Sequence, residues 1–241
     1  MFIDPSVLIV ALIAVVAGSA LQSMSGFGLA VIASPVLVII NPNFLPGPIL
    51  ALGCLLSLLN CIRYRQQLHF GNIKLALLAR LPGSILGILL LAILPPAFFA
   101  VGFSLLIITS VLLTYQRLDI HHGKKNLVIA GFFSGLMGTT TSVGGPPIAL
   151  VYQNSNLSTL RAELGLFFLI GTLVSLAMLF VSGNINYAHV QLTLPLVPAI
   201  FVGFGISFYL DKYLGQRYLK PIIAAISLTS CGIILLKAFF Y

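Results

Sequence analysis

Two short runs hold most of the polar groups in this chain that could bind something inside an apolar surrounding. One is Ser23-Met24-Ser25-Gly26-Phe27-Gly28, with Gln22 just before it; the other, residues 138–147, reads Gly-Thr-Thr-Thr-Ser-Val-Gly-Gly-Pro-Pro. Their hydroxyls and amide can replace water around an oxyanion without a fixed charge, and so can also release it. Glycine and proline in both runs interrupt a helix. A second helical arm starting at such a break aims its unpaired N–H groups and positive dipole end at the tip, which suits an anion. Pro146 stands where the returning helix would start, a position where its missing N–H costs nothing. The candidate binding residues are therefore Gln22, Ser23, Ser25, Gly26 and Gly28 in one run, and Thr139, Thr140, Thr141, Ser142, Gly144 and Gly145 in the other. Ser57 and Asn60, three apart and able to share a helix face, join them with Ser175, the counterpart of Ser57.

The remaining chemical groups point away from catalysis. The four acids, Asp4, Asp119, Glu163 and Asp211, fall at expected segment ends or in loops, leaving no carboxylate for an intramembrane proton relay. His69, His121, His122 and His189 read as loop residues, and no nucleophile, base and orienting group converge, so an enzyme is not indicated. Cys54, Cys61 and Cys231 lie in apolar segments without a CxxC spacing, as packing residues do; neither a disulfide framework nor a zinc site is suggested, and no metal or cofactor is expected.

The elements that must position the tips are membrane spans. Of 241 residues, 59% are hydrophobic and 7% charged, against roughly 25% charged in an ordinary globular domain. Residues 5–62, 81–116, 126–160, 164–210 and 221–236 contain no Asp, Glu, Lys or Arg, which excludes a soluble protein. Twelve Lys and Arg against four Asp and Glu give a net charge of +8. No aromatic-interleaved basic patch accompanies that excess, so it reports topology rather than nucleic-acid binding. The expected partners are a lipid bilayer and a small anion, with no oligomeric state indicated. No basic residue precedes the first apolar run and Asp4 does, so a cleaved signal peptide is not expected.

Cutting at polar and Pro-rich breaks gives eight apolar elements, at residues 6–40, 47–62, 75–93, 97–115, 127–152, 160–181, 190–210 and 217–238. Six have the length of one helical crossing; the first and fifth carry the breaks. The second half echoes the first at an offset of about 117 residues: Gly18, Ser25 and Gly28 match Gly135, Ser142 and Gly145, Gly53 and Ser57 match Gly171 and Ser175, and Pro82 and Gly87 match Pro198 and Gly203. If all eight elements crossed, Arg161, Lys212, Arg217 and Lys220 would lie opposite the other basic residues. If the two broken elements enter and leave as hairpins, every Lys and Arg except Lys237 falls on one side. The positive-inside rule favours the hairpins, with basic loops cytoplasmic and both termini extracytoplasmic. The expected fold is an all-α polytopic membrane protein of two inverted repeats, residues 1–117 and 126–241, each a re-entrant helical hairpin plus three transmembrane helices, joined by a cytoplasmic linker at 118–125. Gly83-x-x-x-Gly87 and Gly131-x-x-x-Gly135 are expected to serve helix contact.

The paired broken segments, residues 18–35 and 131–147, are each followed by a Gly-x-x-x-Ser helix and then a Pro-x-x-x-x-Gly helix. Over essentially the whole chain this pattern resembles the sulfite exporter TauE/SafE family, also called the toluene sulfonate uptake permease family. The family's usual Gly-Gly-Gly tip is represented here by Ser25-Gly26-Phe27-Gly28 and Val143-Gly144-Gly145-Pro146. The resemblance implies a secondary transporter in the cell (inner) membrane for sulfite, a sulfonate or another sulfur-containing oxyanion. The alternatives are a channel-like anion pathway and a carrier of a non-sulfur organic anion. A partner-binding scaffold would leave no mark in the sequence.

Overall fold

The computed structural model describes residues 5–68, 70–71, 73–93, 101–102, 104–105, 108–109, 123–152, 155–213 and 228. The described elements are all helical: α1 (Pro5–Ser25), α2 (Leu29–Ile40), α3 (Gly47–Arg63), α4 (Ile73–Ile93), α5 (Lys124–Thr141), α6 (Gly145–Val151), α7 (Leu157–Val181), α8 (Tyr187–Thr193) and α9 (Val197–Tyr213), with short 3-10 turns between some of them. Among the described residues, five helical stretches are long and apolar enough to cross a membrane: Pro5–Ser25, Pro42–Arg63, Ile73–Ile93, Leu157–Val181 and Tyr187–Tyr213. Large apolar side chains stand exposed along them, among them Ile13, Leu78, Ile93, Phe180 and Val181, a surface that water would penalise and lipid would not. The expected elements at 97–115 and 217–238 lie almost entirely outside the described residues, as do Asp4, His69, Arg117, Asp119, His121, His122, Arg217, Lys220, Cys231 and Lys237.

Both broken elements are helix–break–helix units. Gly26 at φ +87° and Gly28 at φ +141° turn the chain out of α1 in conformations that side chains rarely adopt. A Cβ on Gly28 would also strike the Leu21 side chain. The second break turns on Ser142, held left-handed at φ +64° without the freedom of a glycine. The two arms of each unit are unequal. With 21 and 18 residues, α1 and α5 extend about 31 and 27 Å at about 1.5 Å per residue, while the returning α2 and α6 have only 12 and 7 residues. Lys124 and Lys125, expected in the linker, open α5.

The main packing pairs are α4 with α5, α1 with α9, and α3 with α7. In the first pair the small-residue motifs meet each other: a Cβ on Gly83 or Gly87 would press on the carbonyl oxygens of Phe132 or Leu136, and one on Gly131 or Gly135 on those of Ala76 or Arg80. In the second, Gly203 lies against the Val16 carbonyl and Ser19 in the same way. Two apolar cores result, one around Val15, Leu37, Leu52 and Ile200, the other around Ile73, Leu127, Ile148 and Phe167. Phe27, at the first break, packs against both.

Candidate functional site

The two breaks meet each other. Phe27 presses on Gly145, where an added Cβ would lie 2.9 Å from the phenylalanine Cβ. Beside this contact is a cavity of about 40 Å³, lined by Gln22, Gly28, Ser57, Ser142, Gly144, Gly145 and Thr172 among polar and backbone groups and by Phe27, Ile49, Leu50 and Phe168 among apolar ones. That is room for a few waters or one compact polyatomic ion after modest rearrangement.

Hydrogen bonds decide which of these groups can still donate. Gln22 reaches across from α1: its Oε1 accepts the Leu29 N–H at 3.1 Å, and its Nε2 donates to Ser57 Oγ at 3.5 Å. One N–H at the start of α2 is therefore already satisfied from within the protein. Pro146 and Pro147 remove two donors from the first turn of α6, so the expected pair of open helix ends is narrower than the sequence suggests. Ser142 donates to the Pro46 carbonyl at 3.0 Å, at the start of α3. Thr172 donates to the Phe168 carbonyl at 2.6 Å. Ser57, fully buried, accepts from Gln22 and has no acceptor of its own among the described residues, so its hydroxyl can still donate.

The other sequence candidates lie around this cavity without lining it. Ser25 bonds the Leu21 and Phe27 carbonyls, holding the tip, and Gly26 packs on Leu160 and Leu164. Ser23 Oγ and Asn60 Oδ1 are buried without a hydrogen-bond partner among the described residues. Thr139 pairs with Ser175 at 2.9 Å between α5 and α7. Thr140 and Thr141 bond the Leu136 and Met137 carbonyls one turn back, and Thr141 also accepts the Val143 N–H.

Several charged residues are not where the sequence suggested. Arg80, counted with the loops, is 2% exposed inside α4. Its Nη1 donates to Ser134 Oγ at 3.3 Å, and its guanidinium stacks over Phe167. The apolar run 75–93 encloses Arg80, and that is the mark of its burial in the sequence. Glu163, expected at a segment end or in a loop, is 6% exposed in the second turn of α7 beside the Tyr152 hydroxyl, so a buried carboxyl does exist among the helices. Asp211 sits in the last turn of α9, in a bidentate pair with Arg161 at 2.6 and 2.7 Å and 3.6 Å from Arg63. Arg161 also donates to the Met24 carbonyl near the end of α1. His189 is not a loop residue; it lies in α8, where its ring forms a capping box with Asn186. Cys54 and Cys61 are unpaired thiols in α3.

No curated protein and no solved structure matches the chain. The family described as Sulfite exporter TauE/SafE matches residues 10–233. That match runs through both breaks, the cavity walls between them and every described helix. With the apolar helices, it makes the molecule a multi-pass membrane protein whose substrates are small anions, and not an enzyme. The chain belongs to the sulfite exporter TauE/SafE family of membrane transporters.

Proposed function

We propose that the protein is a secondary transporter of a small sulfur oxyanion, sulfite or a sulfonate, which binds between the two breaks and is exposed alternately to the two sides of the cell membrane. The observation that carries this reading is the contact of Phe27 with Gly145 beside a cavity lined by Ser57, whose hydroxyl has no acceptor among the described residues. Non-helical backbone at membrane depth is tolerated where it lines a polar cavity, and paired broken helices mark carrier sites.

Alternating access asks for two halves that can rock against each other, and we take them to be inverted repeats. Three sets of contacts support this. Arg63, Arg161, Asp211 and the end of α1 gather at one end of the bundle. At the other end, the start of α3 meets Ile185 and His189. The glycine-mediated packing of α4 on α5 also has its counterpart in that of α9 on α1, where Gly203 meets Val16 and Ser19. The gathered basic end is then cytoplasmic and both termini are extracytoplasmic.

The test is transport current from purified protein in proteoliposomes on a solid-supported membrane, challenged in turn with sulfite, thiosulfate, sulfoacetate, lactate and chloride, and followed by isotope counterflow. Saturable uptake of a sulfur oxyanion with counterflow is expected. Flux that never saturates and shows no counterflow would replace the carrier with a channel.

A further inference from the structure

Neither the breaks nor the cavity wall accounts for Arg80. It lies seven residues into α4, about 10 Å along the axis from Ile73, and is almost fully buried. Ser134 accepts from Nη1, Phe167 faces the guanidinium carbon at 5.0 Å, and Nε has no partner among the described residues. Among the described residues no carboxylate pairs with it. Glu163, the acid on the same stripe of α7 as Phe167 and Gly171, is engaged with Tyr152. A cation held out of water with a hydroxyl and an aromatic ring in place of a counter-ion is expensive, and charges of this kind persist in membrane proteins where they face an ion path.

The glycines around it locate that path. Gly171 leaves room for the guanidinium, since a Cβ there would overlap its Nε. A Cβ on Gly138 would lie 3.1 Å from Arg80 Nη2 on one side and 3.5 Å from Gly144 Cα on the other. Ser134, which accepts from Arg80, donates in turn to the Gly144 carbonyl. Gly144 is a wall of the cavity. The guanidinium therefore stands directly behind the second break, separated from its backbone by one absent methyl group and joined to it through Ser134.

We propose that Arg80 is the counter-charge of the transported anion, acting across the Gly144 backbone without touching the substrate, and that it makes the site discriminate anions by charge. This rests on the anion-carrier reading above. With the Gly144 backbone between them, guanidinium and anion are on the order of 10 Å apart, and at an effective dielectric of about 20 one unit charge at that distance changes the affinity for a monoanion on the order of 15-fold, and for a dianion by the square of that.

The experiment is calorimetric titration of the wild type, Arg80→Gln and Arg80→Lys in lipid nanodiscs, with thiosulfate as a dianion and methanesulfonate as a monoanion. The expected result is that Arg80→Gln weakens both, thiosulfate at least about tenfold more than methanesulfonate, while Arg80→Lys keeps the ratio of the two affinities within about threefold of wild type. A general packing defect would lower both affinities alike, so an unchanged ratio in folded Arg80→Gln overturns the proposal. Should that variant not fold, Ser134→Asp cancels the charge in place. It is expected to collapse the same ratio, and an unchanged ratio there overturns the proposal equally. Folded wild type that binds neither anion removes the carrier reading and this proposal together; wild-type binding with the ratio intact in Arg80→Gln removes only the role of Arg80.

Discussion

Ser57 is the cavity hydroxyl with a proton to give, and its removal should matter most among the uncharged groups. Ser57→Ala is expected to weaken anion binding about tenfold, the worth of one hydrogen bond to a charged partner. Ser25→Ala, whose hydroxyl holds only tip backbone, should leave affinity within about twofold of wild type; calorimetry on the two side by side checks the contrast. Gln22→Leu leaves the Leu29 N–H without its acceptor and should cost about 1–2 kcal/mol of stability, read from thermal unfolding in detergent. The hydroxyl-rich character of the site was legible in the sequence because Ser, Thr and Gly concentrate at both breaks. Which hydroxyl is free was not, since Ser25, Ser57 and Ser142 look alike until their hydrogen-bond partners are placed. Thr172 and Phe168 gave no signal, lying inside an unbroken apolar segment. Arg80 and Glu163 were lost for a different reason: counting charges by nearness to a loop cannot separate a residue at a helix end from one a turn or two inside it.

At the scale of the helix, the α4–α5 contact has the least tolerance. Gly83 lies so close to the Phe132 carbonyl that any side chain must push the helices apart. Gly83→Val should therefore destabilise the protein by more than the roughly 1–3 kcal/mol of ordinary overpacking, whereas Gly205→Ala, with open space around it, should be neutral. Paired melting curves test this. Both motifs of this contact were visible in the sequence as Gly-x-x-x-Gly, and so were the breaks, because glycine and proline at fixed spacing have few other uses in an apolar run. The length of α5 was not: Lys124 and Lys125 read as linker and residues 138–141 as part of the break, yet all of them belong to the helix.

Across the whole molecule, one end is tied by ions and the other is not tied in this way among the described residues. Asp211 joins Arg161 and Arg63, and Arg161 continues to the Met24 carbonyl, so α1, α3, α7 and α9 are fastened together there. If opening toward that end accompanies transport, Asp211→Asn should favour the open form. In a Cys54→Ser, Cys231→Ser background, the buried Cys61 should then react several-fold faster with a membrane-impermeant maleimide added from the basic side, with thermal stability little changed because the pair is partly exposed. The packing also imposes an order in time. The α4–α5 contact joins helices adjacent in the described sequence, but the α1–α9 contact brings Ser19 to Ala199, 180 residues later. At about 5–20 residues per second of synthesis, the first hairpin waits on the order of ten to thirty seconds inside the bilayer with Ser19 and the small face of α1 uncovered. The nascent chain has to be sheltered through that interval, by lipid, by the insertion machinery or by α2 folded back on α1, before its last neighbour arrives.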